Sequence, residues 1–483
     1  MSYAQARLAE SLGEIRALSV EIDKWRSLWD VNDALGAHLT QLDLLVGVIQ
    51  GLVDEIASGT AAIDPGNDTG TVYEACRRAD RQLLHARRLW RWYADKLDQR
   101  AGGPDAGPGV RALRAADELT WSCWKTALTA FGGLSAAALP AAPISYLAPQ
   151  FSAFATPRTD PPPDLRPGAD ELLRRHIELL PVPVIGLPPA CARRPWWLII
   201  AAHEASHHVQ FELPGLEDRT QDAVVAAARA ASGDAELAED WRPWCRELFA
   251  DACAVLLVGP AALWAIAELE MRPAAGLRRS PSGSYPPPLV RLAVARQVAV
   301  QGGFPTGSQV FSDDLPAPPT LAGTPAGLRP LAGAADAPDR ARRLLGAAPA
   351  VASALLGLEA GAGRGLRVLG TVAARAYGDG TIAGWRKELL GDGEPVGEQT
   401  LDAARIVAAA AVEAWQRAGA AGLAAPGPAG DAWASAATRL AGRVLAVLPE
   451  CSEPGTRAAG GVPDPAGLAG QILADLDAKA GAG

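Results

Sequence analysis

The stretch that most constrains this chain is residues 196–212, WWLIIAAHEASHHVQFE. His203-Glu204-Ala205-Ser206-His207 is an HExxH pattern. On a helix, residues four apart share a face, so His203 and His207 can reach one ion. Glu204 follows the first histidine and can face a metal-activated water instead of the metal, which makes it the candidate general base. Leu198, Ile199 and Ile200 lead into the pattern. That apolar approach calls for a helix buried against other elements. Half of the six histidines in the chain, His203, His207 and His208, fall within these few residues. With histidine so rare, a chance HExxH is expected on the order of 0.004 times per chain. His208 lies about 100° around the helix from His207 and is read as a flanking residue.

Around this stretch the periodicity is helical. Residues 1–137 carry apolar residues at helical spacing, such as Leu8, Leu12, Ile15 and Leu18. The segment reads as an up-and-down helical bundle. Trp90, Trp92 and Tyr93 are expected in its core. Residues 138–302 form the segment around HExxH. It opens with Pro-rich sequence and short β-branched runs. Leu179–Leu187, LLPVPVIGL, reads as an edge strand, because Pro181 and Pro183 would deprive one edge of backbone donors. Residues 303–336 are rich in Pro, Gly and Ala and read as a linker or long loop. Residues 337–483 read as Ala-rich helices separated by Gly and Pro.

Charge and cysteine content narrow the function. The net charge is −9, from 45 basic and 54 acidic residues, with no basic block. A broad phosphate-contacting surface is therefore excluded, and no nucleic-acid partner is expected. The six cysteines form no CxxC pair, which fits reduced thiols in the cytoplasm. The N-terminus is polar, unlike a secretory signal. The most apolar run, Ala252–Ala267, is interrupted by Gly259-Pro260. It falls short of the ~20 residues of a spanning helix, so no membrane partner is expected. Gly361–Gly365, GAGRG, lacks the lysine of a phosphate loop. No GxSxG is present, and His38, His85 and His176 read as structural.

Downstream, residues 244–255 read WCRELFADACAV. Glu247 and Asp251 are four apart on an amphipathic helix. HExxH followed by ExxxD resembles the gluzincin clan of zinc metallopeptidases. The resemblance implies Glu247 as the third zinc ligand and Asp251 as the residue that orients His203. A ligating histidine usually donates its other N–H to a carboxylate, which agrees. Further on, Ser284–Leu292, SYPPPLVRL, is similar to the HPxxxxRI segment of one gluzincin subgroup. That subgroup contains the CAAX prenyl-protein peptidases and the bacterial heat-shock membrane metallopeptidases. There the histidine stabilises the transition state; here Tyr285 holds its position, and a phenol can donate to an oxyanion. Arg291 matches the arginine of that segment. The resemblance covers residues 180–300, about a quarter of the chain.

The expectation is a mainly α protein: a helical bundle, a gluzincin-like core with a small β element, and a helical C-terminal region. Its expected function is Zn²⁺-dependent hydrolysis of a protein or peptide substrate. His203, His207 and Glu247 would bind the metal, and Glu204 and Tyr285 would act on the substrate. Asp251 and Arg291 would support the ligands. A second expectation, of a different class, is an inactive or latent metallopeptidase-like scaffold. Its helical flanks would bind protein partners. The same flanks suggest control of an active enzyme by a regulatory protein.

Overall fold

The computed structural model describes residues 2–30, 37–101, 107–149, 153–156, 171–270, 283–304, 337–361, 363–423, 429–451, 453–455, 457 and 464–481. The linker expected over 303–336 falls almost wholly outside them. The first helices are α1 (Tyr3–Asp30), α2 (Leu39–Ala61), α3 (Thr69–Leu97), α4 (Pro108–Thr126) and α5 (Glu171–Leu179). The middle of the chain contains α6 (Ala201–Glu212), α7 (Leu216–Ser232), α8 (Ala235–Glu239), α9 (Cys245–Val258), α10 (Pro260–Glu270) and α11 (Pro288–Gln301). Then come α12 (Ala337–Leu356), α13 (Gly370–Gly378), α14 (Thr381–Leu390), α15 (Ala403–Leu423), α16 (Ala429–Val447) and α17 (Pro465–Gly481). The strands are β1 (Ile144–Leu147), β2 (Phe154–Thr156) and β3 (Val184–Leu187). The protein is mainly α with one small sheet.

Apolar residues three and four apart give α1, α2 and α3 one buried face each. Ile15, Leu18 and Ile22 meet Leu45, Ile49 and Leu52 from α2 and Leu83, Ala86 and Leu89 from α3. Asp68 starts α3 by accepting from the N–H groups of Gly70 and Thr71 at 2.9 and 3.3 Å. The fourth helix of this group is α17, which packs along α2 and adds Ala469 and Ile472 to the core. It is not α4, as an up-and-down reading of residues 1–137 expects. The reason is α4's own sequence. Ala112, Ala115, Ala116, Leu119 and Trp124 bury it in a second, larger apolar cluster. That cluster runs through α6 to α16.

The sheet lies between the two clusters. β3 is its central strand, parallel to β1 and antiparallel to β2. This corrects the edge-strand expectation for Leu179–Leu187. Both prolines precede the paired residues, so neither removes a donor from the ladder, and the Pro183 carbonyl accepts from the N–H of Ile144 at 3.0 Å. The two-residue period of β3 then serves both cores: Val184 faces the bundle, while Ile185 and Leu187 face the larger cluster. A buried ion pair fixes the sheet to the helices. Arg100 grips Asp117 of α4 through two nitrogens, and Asp117 accepts from the Ser145 N–H of β1 at 2.9 Å.

The apolar run 252–267 folds into two helices. Gly259 takes φ +70° and ψ −156°, a backbone region open to glycine alone, and Pro260 starts α10. Among the described residues one helix, α2, is long and apolar enough to cross a membrane, by length and composition only. The C-terminal helices cover the approach to HExxH. Trp415 of α15 stacks on Trp196 at 4.3 Å between ring centres, in the 3₁₀ turn Pro195–Ile200 that runs into α6.

Candidate metal centre

HExxH forms the first turns of α6, where His203, Glu204 and His207 are all buried. α6 lies against α9, and α11 closes on α9 from another side. This places Glu247 over the histidine pair. His203 Nε2 lies 3.1 Å from His207 Nε2 and 3.4 Å from Glu247 Oε2, and His207 Nε2 lies 3.6 Å from Glu247 Oε1. Ligands about 2.0–2.2 Å from a tetrahedral zinc ion stand about 3.3–3.6 Å from one another. The three donor groups fit such an ion. They are also the one group of potential metal ligands of this kind among the described residues.

The other side of His203 faces Asp251 of α9, with Nδ1 2.9 Å from Oδ1. That contact turns Nε2 towards Glu247. Arg291 of α11 holds Asp251 in turn. Its Nε and Nη2 donate to the two Asp251 oxygens at 2.6 and 2.9 Å, and Nη2 also donates to Glu247 Oε2 at 3.3 Å. Nη1 donates to Glu270 Oε1 at 2.8 Å. Arg291 is 5% exposed, so a single buried guanidinium binds three carboxylates.

Charge controls protonation here. Burial opposes an imidazolium at His203, but Asp251 and Glu247 outweigh it and push His203 up to about 10. At His207 burial prevails and brings the ring down to about 3. Burial alone would raise Glu247; the histidines and Arg291 bring it down to about 2. Asp251 also lies well below the ordinary carboxylate range, because Arg291 and His203 overcome its burial. The resulting set is one protonated imidazole, one neutral imidazole and two carboxylates. A divalent ion can displace the His203 proton and bind the same atoms.

A cavity of about 280 Å³ opens beside the three donors, and His203, Glu204, Glu247, Glu270, Tyr285 and Arg291 contribute to its walls. Tyr285 is half-buried just before α11, with its ring 5.8 Å from the Arg291 guanidinium carbon. Ala153, the residue before β2, is also on the wall. Of the residues expected at the site, His203, Glu204, Glu247, Tyr285 and Arg291 line this one cavity, and His207 and Asp251 stand against those lining residues. His208 faces away from it. Its Nε2 donates to the Val184 carbonyl at 3.4 Å and holds α6 against β3. Sequence reasoning missed Glu270. The last residue of an apolar helix carries no local mark of a partner twenty-one positions on. The chain matches no family model, no curated protein and no solved structure.

Proposed function

We propose that this protein is a zinc-dependent peptidase of the gluzincin type. The observation that carries the reading is the spacing of the His203, His207 and Glu247 donor atoms, close to the edges of a zinc tetrahedron. Three protein ligands with a cavity at their side is the pattern of a catalytic zinc site, whereas structural sites close with four. When bound, zinc supplies Lewis acidity: it polarises a substrate carbonyl and lets a water lose its proton near neutral pH.

The chain's own residues do the rest. Asp251 keeps His203 turned towards the ion, and Arg291 keeps Asp251 charged and fixed. Glu204 accepts a proton from the water as its oxygen attacks the peptide carbonyl carbon. As the carbon–nitrogen bond breaks, Glu204 returns that proton to the leaving amine. Tyr285 donates a hydrogen bond to the oxygen on which negative charge develops. The scaffold alternative has no comparable support, since Glu204, His203 and Glu247 line a cavity that a pure scaffold does not require.

Elemental mass spectrometry of the purified chain tests the metal. About one zinc per chain is expected, absent from the His203→Ala/His207→Ala variant. Glu204→Gln should keep the zinc and lose peptide hydrolysis by at least about 10²-fold. Full hydrolysis by Glu204→Gln would rule out this mechanism.

A further inference from the structure

Glu270 is the last residue of α10 and is 4% exposed. Its Oε1 accepts from Arg291, while its Oε2 is buried with no hydrogen-bond partner among the described residues. Arg291 directs Nε and Nη2 at Asp251 and Glu247 and reaches Glu270 through Nη1 at Oε1, and none of its nitrogens bonds to Oε2. A buried carboxylate oxygen left without a donor is costly, and each such group calls for an explanation. Glu270 lies on the wall of the same cavity as Glu204, His203 and Glu247, with Oε2 itself just behind the wall's surface. Beside it that wall is apolar: Ile266 and Leu269 from its own helix, and Ile199 and Ile200 from the turn before α6. The local charge is negative. Asp251, Glu247 and Glu270 share one arginine and Glu204 lines the same cavity, so a divalent ion would still leave an excess of one negative charge.

An apolar wall ending at a carboxylate group whose second oxygen lacks a donor matches a ligand with an apolar stem and a cationic head. We propose that Glu270 is a specificity-determining residue and that the cavity takes an alkylammonium group of the substrate peptide. The inference rests on the peptidase reading for its substrate, but not for its binding chemistry. Two sources share that chemistry, a lysine side chain and the free N-terminus of a peptide.

The test uses the zinc-loaded full chain carrying Glu204→Gln, so that peptides bind without turnover. Fluorescence anisotropy compares labelled hexapeptides that differ at one position: lysine, N-acetyl-lysine or norleucine, each with a free or an acetylated N-terminus. The cationic peptides are expected to bind at least tenfold more tightly than their neutral counterparts. Adding Glu270→Gln, which keeps an oxygen for Arg291, should remove that difference while zinc content stays unchanged. Preference lost on acetylating lysine identifies the side chain; preference lost on acetylating the terminus identifies the α-ammonium. Equal binding of cationic and neutral peptides, no binding of either, or a preference that survives Glu270→Gln overturns the proposal. Should Glu270→Gln fail to fold, the lysine–norleucine comparison on the parent still decides. A chain that binds lysine peptides selectively but holds no zinc would refute the peptidase reading and leave this one standing.

Discussion

At the scale of residues, Arg291 is the least replaceable group. It compensates Asp251, Glu247 and Glu270 together, all inside the protein. Removing one partner of a buried ion pair costs about 3–5 kcal/mol, because the other charge is left without compensation. Arg291→Met should therefore lower stability by at least that much, read from urea unfolding, and weaken metal retention at the same time. A second buried pair gives a pH dependence. His85 and His176 meet at 2.7 Å, Nε2 to Nδ1, and burial holds both below the ordinary histidine range, His85 down to about 3. Below about pH 6.5 the unfolded chain takes up protons that the folded pair refuses, so stability falls as pH drops from 6.5 towards 3. At pH 5 His85 alone should account for about 2 kcal/mol of that loss. Unfolding midpoints between pH 7.5 and 5 should fall more steeply in the wild type than in His85→Leu/His176→Leu.

At the scale of elements, the corner between α9 and α10 decides whether Glu270 reaches the site. Gly259 sits where a side chain is strained by backbone conformation alone, and a methyl there would run into the ring of Tyr377. Gly259→Ala should cost about 1–3 kcal/mol from the backbone alone. Adding Tyr377→Ala should not restore stability, because the strain at φ +70° remains; chemical denaturation of both variants checks this. This corner was legible beforehand, since a Gly-Pro pair breaks any helix. So were His203 and His207, which one helical turn joins. Glu247 and Asp251 were harder: an acid pair on a helix points to nothing until α9 is laid against α6. β3 was misread because prolines mark where a ladder cannot run, not which neighbours a strand will find. Glu270 was invisible, because its meaning depends on Arg291, and only the folded chain brings the two together.

At the scale of the whole molecule, helices far apart in sequence share one bundle. α17 completes the bundle made by α1, α2 and α3, with Asp477 bound by Arg78 and by Gln82, the latter at 3.0 Å, and Asp475 facing His176 at 3.4 Å. Periodicity reports that a helix has an apolar face, not which helix covers it, so this closure could not be read from residues 1–137. A chain ending at residue 464 should lose the protection of α1–α3 in limited proteolysis and retain whatever zinc the full chain holds, since α6 and α9, which carry the donors, pack in the other cluster. Arg291 reaches further than its own contacts. Asp251 and Glu247 are bound to protein charge, and Asp251 in turn faces His203, so α6, α9 and α11 are tied together without an ion. A metal ion bound there would then be a late insertion into a finished framework, not the nucleus around which it forms. Such a chain can be emptied and refilled. On the peptidase reading, its supply of ion would govern when it works, while its folding proceeds on its own schedule.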